Sequence, residues 1–345
     1  MSKQLKALPL IDARELLDNK IAPRNFVELI KKDKFICLYN LDKTPIEISA
    51  ELFRNLELCA NKFFELPQVQ KMRYYIGNSY NHRGYVPVTE KGSYSDEEGR
   101  LYEAFDLSYE LEGYIPDEEF NLKGVNQWPN EIKEFKKICL EYYSKLFKLG
   151  KALLAIFAEG LGIEANYFDR CITSPPAQLR LINYLINSDM KNQKIGMSMG
   201  AHTDYECFTL LYQTSPGLQL FDGEAFCDVP VMRNSLILLP GDIIHYLTNG
   251  YICSTPHRVL HNGTYRTSFP FFMNLDFETE LSIHEKYLEV NDELKRRTLL
   301  PKNLVVGKHL VNQLYRDFPY LRKKIANNEI KVNFELRDNS LFENI

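Results

Sequence analysis

Apolar residues recur at three- and four-residue intervals in two long segments of the first half of the chain. These segments, residues 46–63 and 132–161, have the spacing that is typical of amphipathic helices. A short apolar run at Phe35–Tyr39 predicts a strand. Residues 78–100 combine Asn, Gly, Ser and Pro with acidic residues, which predicts a long loop with at most a short strand at Gly84–Val86. The first half is therefore expected to be mainly helical.

The pattern changes after Pro175 and Pro176, where short apolar runs rich in Leu, Ile, Tyr and Phe replace the helical period. Asp222-Gly223, between two of these runs, is a strong signal for a hairpin turn. Short strands at close spacing predict a double-sheet or barrel-like all-β core of roughly a hundred residues. The runs occupy residues 178–186, 207–213, 217–221, 235–240 and 266–277.

A helical period returns near the C-terminus, over residues 286–300 and again over residues 307–325. The sequence shows no internal repeat and no linker between independent units, so we expect one α+β domain over residues 1–345. Its expected parts are a mainly helical segment (1–175), a β core (176–280), and C-terminal helices with a tail (281–345).

The charge balance argues against a nucleic-acid-binding protein. The chain has 42 Lys and Arg residues and 46 Asp and Glu residues, a net charge of −4, so no basic surface for nucleic acid is expected. Hydrophobic residues make up 45% of the chain, which supplies a packed core and excludes disorder over most of its length. A small molecule is the expected partner, and the sequence does not distinguish a monomer from a homodimer.

The cysteines indicate the compartment. There are seven, without a C-x-x-C pair or zinc-ribbon spacing, which is typical of reduced thiols in a cytoplasmic protein. The N-terminus lacks the apolar region of a signal peptide, and no window approaches the roughly 18 consecutive apolar residues of a membrane span. We therefore expect a cytoplasmic location without membrane contact.

The segment GAHTDY contains the first residues with candidate chemistry. On an extended chain residues i and i+2 point to the same side, so the His202 imidazole and the Asp204 carboxylate can converge on one cation. His257, at the head of a later predicted strand, supplies a third ligand. Two imidazoles and one carboxylate on one face of a metal ion, with the other positions open, are the ligand set of non-haem Fe(II) oxygenases.

Other interpretations of these residues are open at this point. A His-x-Asp pair is a weak signal by itself, since a surface histidine beside a turn aspartate also explains it. A buried histidine hydrogen-bonded to a backbone carbonyl would explain His257. His245 and His261 are alternative ligands, but the Pro-His-Arg-Val context of His257 and its distance to Arg266 favour His257.

A second pair, Arg266 and Ser268, has the same i, i+2 spacing on a later predicted strand. Arginine binds a carboxylate through two parallel hydrogen bonds, and a serine hydroxyl can donate to the same group. We therefore expect an anion site one strand away from the metal site. A structural ion pair is the alternative role for Arg266.

In combination, His202-x-Asp204, His257 and Arg266-x-Ser268 resemble a known constellation. With GAHTDY, LLPGD, STPHRV and RTSFPFF around them, they resemble the isopenicillin N synthase-like branch of the 2-oxoglutarate/Fe(II)-dependent oxygenases. The ordered combination is specific, and the resemblance covers essentially the whole chain.

The similarity extends beyond these motifs. Pro9–Asp12 is similar to the family's opening strand, Gln178–Tyr184 resembles its first core strand, and Arg83–Tyr85 with Glu103–Asp106 resembles its bacterial members. The resemblance implies a distorted double-stranded β-helix, or jelly roll, flanked by helices.

The resemblance also implies roles for the candidate residues. The three candidate metal ligands would bind Fe(II), and Arg266 and Ser268 would hold the distal carboxylate of 2-oxoglutarate, with O2 as the second cosubstrate. Arg180 matches an Arg of ethylene-forming relatives that approaches the cosubstrate, and Asn183 matches an Asn of plant members that contacts it. An ion pair for Arg180 and a strand end for Asn183 are the alternatives.

Five residues are candidate substrate contacts. Arg83 and Tyr85 lie in the predicted loop that is expected to cover the pocket, where an Arg would suit a carboxylate-bearing substrate. Tyr184, Phe208 and Phe272 lie on strands that line the pocket in relatives. A solvated surface position for Arg83 and core packing for the three aromatic residues are the alternatives.

The expected activity is oxidation of a small molecule by hydroxylation, desaturation or cyclisation, with release of succinate and CO2. One alternative is an iron oxidase of the isopenicillin N synthase type that does not use 2-oxoglutarate, because such enzymes also contain the Arg-x-Ser pair. A second alternative is a non-catalytic jelly-roll binding protein. A zinc hydrolase is disfavoured because the sequence contains no H-E-x-x-H segment.

Overall fold

Helices flank two facing β-sheets in the computed structural model, which describes residues 3–4, 8–90, 101–116, 119–185, 196–261, 263–289 and 301–337. The α-helices within these ranges are α1 (Ala13–Leu17), α2 (Pro23–Asp33), α3 (Ala50–Phe64), α4 (Gln68–Lys71), α5 (Phe135–Gly160), α6 (Asp242–Leu247), α7 (Val306–Asp317) and α8 (Pro319–Ala326). Short 3-10 helices occupy Leu41–Lys43, Met72–Tyr74, Ile76–Asn78, Asp169–Cys171 and Glu285–Tyr287.

The strands divide between two large sheets and a small one. They are β1 (Lys3–Gln4), β2 (Leu10–Asp12), β3 (Ile36–Tyr39), β4 (Gly84–Val86), β5 (Tyr102–Ser108), β6 (Gln178–Tyr184), β7 (Gly196–His202), β8 (Phe208–Gln213), β9 (Leu218–Phe221), β10 (Phe226–Asp228), β11 (Leu236–Pro240), β12 (His257–His261), β13 (Arg266–Met273), β14 (Glu280–Ser282) and β15 (Asn303–Val305).

The two large sheets confirm the expected jelly roll within an α+β fold. The eight-stranded sheet has the order β2-β3-β11-β8-β13-β6-β5-β4, the five-stranded sheet has the order β1-β10-β9-β12-β7, and β14 pairs with β15. Neighbouring strands run antiparallel except for the pairs β2–β3 and β1–β10. The hairpin predicted at Asp222-Gly223 connects β9 and β10.

The two helices predicted in the first half are present as α3 and α5. Helix α3 begins after Ser49, whose hydroxyl accepts a hydrogen bond from the Leu52 N–H at 3.1 Å. From the buried face of α3, the Phe63 ring lies 4.8 Å from that of Phe105 on β5 and 5.6 Å from that of Phe135 on α5. These contacts form part of the hydrophobic core between the helices and the larger sheet.

Strand β5 was not predicted from the sequence. All seven of its residues are buried, so the alternation of apolar and polar positions that indicates a half-exposed strand is absent. Its two acids are each paired. Glu103 Oε2 lies 2.6 Å from Lys71 Nζ, and Asp106 Oδ1 lies 2.7 Å from Arg180 Nε. The expected loop at 78–100 contains β4, and its residues 91–100 lie outside the described ranges.

The C-terminal region differs from the expected single helix over residues 307–325. Phe318 is extended (φ −122°, ψ 102°) and separates α7 from α8, because Pro319 has no N–H and disfavours a helical residue before it. The helix predicted over 286–300 begins with a 3-10 turn, and residues 290–300 lie outside the described ranges. Across the described ranges, every helix is too short or too polar to span a membrane.

Candidate active-site pocket

A cavity lies between the two large sheets and is closed on one side by α7 and the residue after it. The larger sheet contributes residues of β6, β8 and β13 to the wall, and the smaller sheet contributes residues of β7, β9 and β12. Leu314 and Phe318 complete the wall from the C-terminal region.

The three candidate metal ligands meet at one end of this cavity. His202 ends β7 and His257 begins β12, and the two are directly opposite each other in the antiparallel pair. Asp204 Oδ1 lies 3.8 Å from His202 Nε2 and 3.6 Å from His257 Nε2. One ligand atom from each residue lies within 4.8 Å of the others. Among the described residues, this is the one group of three such side chains.

Backbone carbonyls fix the orientation of both imidazoles. His202 Nδ1 lies 2.8 Å from the carbonyl oxygen of Gly200, and His257 Nδ1 lies 3.1 Å from that of Thr255. A carbonyl oxygen can only accept, so each Nδ1 is protonated and Nε2 of each ring faces Asp204. Burial, and then the neighbouring His257, lowers the pKa of His202 to about 4, which keeps this ring neutral.

This donor set fits a first-row divalent metal ion. The ligand atoms of a common ion at about 2.1 Å are roughly 3 Å apart, and the 3.6 and 3.8 Å that separate Asp204 Oδ1 from the two Nε2 atoms are somewhat longer than that value. Asp204 is buried, and its second oxygen, Oδ2, accepts a hydrogen bond from the Thr209 hydroxyl. Two imidazoles and one carboxylate with open space beside them are the donor set of non-haem iron.

Arg266 is buried, and no acidic side chain in the described parts of the chain forms an ion pair with it. Its Nε and Nη2 donate to the Ser215 carbonyl oxygen and to Gln213 Oε1, both at 3.2 Å. Its Nη1 is buried and has no hydrogen-bond partner among the described residues. The guanidinium lies 4.3 Å from the centroid of the Tyr184 ring, and the Ser268 hydroxyl lies 3.3 Å from the Tyr184 hydroxyl. The group therefore fits a carboxylate, and the alternative of a structural ion pair is not observed.

The structure separates Arg180 from Asn183, each of which was expected to lie at the cosubstrate. Arg180 lines the cavity, and its Nε and Nη2 donate to the two oxygens of Asp106 at 2.7 Å each. The Asn183 side chain instead donates to Glu103 Oε1 at 3.0 Å, outside the cavity lining. Because side chains alternate along β6, Asn183 points away from the face that contains Ile182 and Tyr184. The expectation of a cosubstrate contact is therefore corrected for Asn183.

Arg83 and Tyr85 do not line the cavity, which corrects the expectation that these two residues contact the substrate. Both are buried, and Tyr85 lies in β4, where its hydroxyl donates to Glu103 Oε2 at 2.5 Å. The Arg83 guanidinium donates to the carbonyl oxygens of Tyr109, Leu122 and Gly124 at 2.8–2.9 Å. These contacts give Arg83 a structural role.

The three candidate aromatic contacts have different positions. Phe272 lines the cavity on β13, and Tyr184 lines it beside Arg266 and Ser268, at the anion end. Phe208 does not line it, because the cavity face of β8 contains Thr209 and Leu211. Its ring stacks on Phe157 of α5 at 5.6 Å, so Phe208 is a core residue and the expectation is corrected.

Sequence reasoning missed most of the other residues of the cavity wall, among them Gln178, Thr209 and Phe318. Gln178 lies two residues before Arg180 on the same face of β6, a position that alternation from Arg180 could have identified. Thr209 follows the metal-ligand segment on the next strand, and its contact with Asp204 is a local one. Phe318 comes from the distant C-terminal region, and no local pattern indicates its position.

Comparison with known proteins gives consistent matches. Residues 176–275 match the model of the 2OG-Fe(II) oxygenase superfamily, and residues 8–131 match that of the non-haem dioxygenase in morphine synthesis N-terminal region. A 2-oxoglutarate-Fe(II) type oxidoreductase of Aspergillus fumigatus is 32% identical over 73% of this chain and 79% of the relative. A homoarginine-6-hydroxylase of Arabidopsis thaliana is 29% identical over 79% of this chain and 76% of the relative.

Solved structures share the fold. A full-length Neurospora crassa protein in complex with alpha-KG and thymine superposes with a TM-score of 0.73 at 24% identity, over 91% of this chain and 99% of that one. A 2OG-Fe(II) oxygenase family protein of Caulobacter crescentus superposes with a TM-score of 0.70 at 22% identity, over 95% and 99%. With the family matches, the two sheets and the cavity, the chain belongs to the 2OG-Fe(II) oxygenase superfamily and is a dioxygenase that uses Fe(II), 2-oxoglutarate and O2.

Proposed function

We propose that the protein oxidises a small molecule in the cavity between the sheets, with Fe(II) held by His202, Asp204 and His257. Arg266 and Ser268 hold the distal carboxylate of 2-oxoglutarate. The observations that support this assignment are three converging ligand atoms on the cavity wall and a buried guanidinium, that of Arg266, which packs on the wall residue Tyr184 and has no acidic partner among the described residues. The metal ligands would hold the iron that the keto acid end of 2-oxoglutarate chelates, and the guanidinium would bind its distal carboxylate.

The unpartnered Nη1 of Arg266 supports the cosubstrate assignment. A buried donor without an acceptor costs about 1–3 kcal/mol, which a bound carboxylate would recover. Tyr184 packs its ring on the guanidinium and its hydroxyl lies beside Ser268. We therefore assign Tyr184 to the cosubstrate and not to the primary substrate.

The chemistry that iron and the oxoacid supply when bound is the oxidative decarboxylation of 2-oxoglutarate to succinate and CO2, coupled to substrate oxidation. The chain itself orients the ligands through backbone carbonyls and excludes water with apolar wall residues such as Ile182, Met199 and Val259. Phe272 lines the cavity away from Tyr184 and contacts the substrate, and Arg180 lines it with its guanidinium paired to Asp106. Hydroxylation, desaturation and cyclisation are the outcomes that this site supports.

The relatives support a small substrate. The Arabidopsis relative is named for hydroxylation of homoarginine, and the Neurospora structure holds thymine, and both of these are small molecules. The net charge of −4 and seven cysteines that are thiols instead of disulfides support a cytoplasmic enzyme without nucleic-acid partners. We also propose that residues 1–345 act as one oxygenase domain, in a monomer or homodimer.

Succinate release tests the function directly. Anaerobically purified protein with Fe(II), 2-oxoglutarate and air should release succinate slowly, even without the primary substrate. His257→Ala should abolish Fe(II) binding in calorimetry, whereas His261→Ala, a matched change on the same strand, should retain it. Arg266→Ala should retain iron and bind 2-oxoglutarate at least tenfold more weakly. Unchanged iron stoichiometry in His257→Ala, or no succinate from the wild type, would contradict the assignment.

A further inference from the structure

The amide of Gln178 has an unused donor on the cavity wall. Its Nε2 is buried and has no hydrogen-bond partner among the described residues, although the side chain lines the cavity. We infer that Gln178 determines substrate specificity, and that the primary substrate is an uncharged molecule that presents an amide-like or carbonyl oxygen to Gln178. The inference rests on the proposed function, because it assigns to the substrate the part of the cavity that the metal and the cosubstrate do not occupy.

Strand register places Gln178 away from the cosubstrate. The cavity face of β6 contains Gln178, Arg180, Ile182 and Tyr184 in alternation. Tyr184 pairs with Arg266 on β13, whereas Gln178 pairs with Phe272 on the same strand. Six residues of an extended strand therefore separate the anion end from the Gln178 end, a distance of roughly 20 Å.

The charges on the wall disfavour an anionic substrate. Both oxygens of Asp106 accept hydrogen bonds from Arg180, so this guanidinium is compensated before any ligand binds. Arg266 lies at the opposite end of β6 and is assigned to the cosubstrate. The remaining charged wall residues outside the metal group are acids, Glu206 and Asp317, and Asp317 already accepts a hydrogen bond from the Tyr205 hydroxyl.

The surroundings of Gln178 suit a flat, mainly apolar body. Phe272 and Pro270 line the same wall on β13, and Phe318 lines it from the C-terminal region. Aromatic side chains pack favourably on planar ligands, and a few polar groups on an apolar wall fix the ligand's orientation. A buried amide donor discriminates strongly against analogues that lack the acceptor, because the donor is then left unpaired.

Three isosteric probes separate the possible charges of the ligand. Benzamide is uncharged, benzoate is an anion and benzamidine is a cation, and all three have the same planar ring. Each is titrated by calorimetry into the anaerobic complex of the wild-type protein with Fe(II) and 2-oxoglutarate. Benzamide should bind at least tenfold more tightly than benzoate or benzamidine. Equal or tighter binding of either charged probe, or no binding of benzamide at millimolar concentration, would overturn the inference.

Variants of Gln178 test whether its amide makes the contact. Gln178→Leu should weaken benzamide binding at least tenfold and leave benzoate binding unchanged. Gln178→Glu replaces the donor with an acceptor and should shift the preference toward benzamidine at least tenfold. Thermal melting identifies a variant that fails to fold, in which case the other variant decides. Unchanged benzamide affinity in a folded Gln178→Leu variant would contradict the inference.

The same titrations distinguish failure of the inference from failure of the proposed function. Both variants should bind Fe(II) and 2-oxoglutarate as the wild type does, since Gln178 lies at the other end of β6 from the cosubstrate residues. A wild-type protein that binds no 2-oxoglutarate contradicts the proposed function. A wild-type complex that binds 2-oxoglutarate but does not prefer benzamide contradicts only the inference.

Discussion

The Thr209 hydroxyl donates a hydrogen bond to Oδ2 of Asp204, which leaves Oδ1 as the carboxylate oxygen that faces both imidazoles. Thr209 is fully buried on β8 of the larger sheet, and Asp204 follows β7 of the smaller sheet. The hydrogen bond therefore connects the two sheets at the metal group. It holds the carboxylate in one orientation before a metal ion binds.

Thr209→Val should weaken Fe(II) binding about tenfold to a hundredfold, because residues that orient metal ligands usually contribute this much. Thr209→Ser retains the hydroxyl and should restore most of the affinity. Anaerobic calorimetry with Fe(II) measures both. Thr248→Val is a matched control, since Thr248 is equally buried but donates to the Ile244 carbonyl oxygen within α6. Equal affinities in the wild type and Thr209→Val would show that Asp204 is oriented by other contacts.

Asp106→Asn should lower the free energy of unfolding by about 3 kcal/mol, because it removes the charged carboxylate to which Nε and Nη2 of Arg180 donate. Asp106 is fully buried, and water can compensate the guanidinium only in part. Urea unfolding measures the change. Asp18→Asn is the control, since Asp18 pairs with Lys20 on the surface at 3.2 Å and should contribute less than about 1 kcal/mol. A similarly small effect in both variants would mean that the Arg180–Asp106 pair contributes little to the free energy of unfolding.

The sequence predicted the metal group because its signal is local. His202 and Asp204 are two residues apart at the end of one strand, and His257 begins the strand that pairs with it. Arg266 and Ser268 share one strand face in the same way. Alternation along a strand thus identified which side chains share a face, without knowledge of the tertiary structure.

The remaining residues depend on contacts that are distant in sequence. Arg83 was predicted to lie in a loop because its neighbours in the sequence are polar. Its guanidinium is enclosed by the carbonyl groups of residues 109, 122 and 124, which are distant in sequence. Phe208 and Asn183 lie on the predicted strands, but their side chains are on the face away from the cavity. Alternation along a strand shows which residues share a face, whereas the tertiary structure decides which face is turned toward the cavity. Phe318 reaches the cavity only because Pro319 ends α7 there.

Arg83→Ala should lower the free energy of unfolding by about 3 kcal/mol and leave the affinity for 2-oxoglutarate unchanged. Burial lowers the pKa of Arg83 to about 10, so the side chain is still charged at pH 7 and its hydrogen bonds to three carbonyl oxygens are charge-assisted. Urea unfolding and calorimetry measure the two quantities. Arg73→Ala, at an exposed arginine paired with Glu131, should change stability by less than about 1 kcal/mol. Weaker cosubstrate binding in a fully folded Arg83→Ala protein would restore a role for Arg83 at the site.

His245 should make the metal-free protein less stable as the pH falls from 6.5 toward 4. Burial lowers the pKa of this histidine from 6.5 to about 4, so in this range the unfolded chain binds a proton that the folded protein does not. The stabilising contribution of neutral His245 is fully present above pH 6.5. About 2 kcal/mol of this contribution is lost by pH 5.

His245→Gln removes the titrating group and keeps an acceptor for the Ser254 N–H, which lies 3.2 Å from His245 Nδ1. The test is urea unfolding of both metal-free proteins at pH 7.5 and pH 5. Burial also lowers the pKa values of His202 and His309 to about 4, and their contributions are common to both proteins. The difference between the two pH-dependent losses therefore isolates His245. The wild type should lose about 2 kcal/mol more than the variant between these pH values, and equal losses would mean that His245 is protonated in the folded protein.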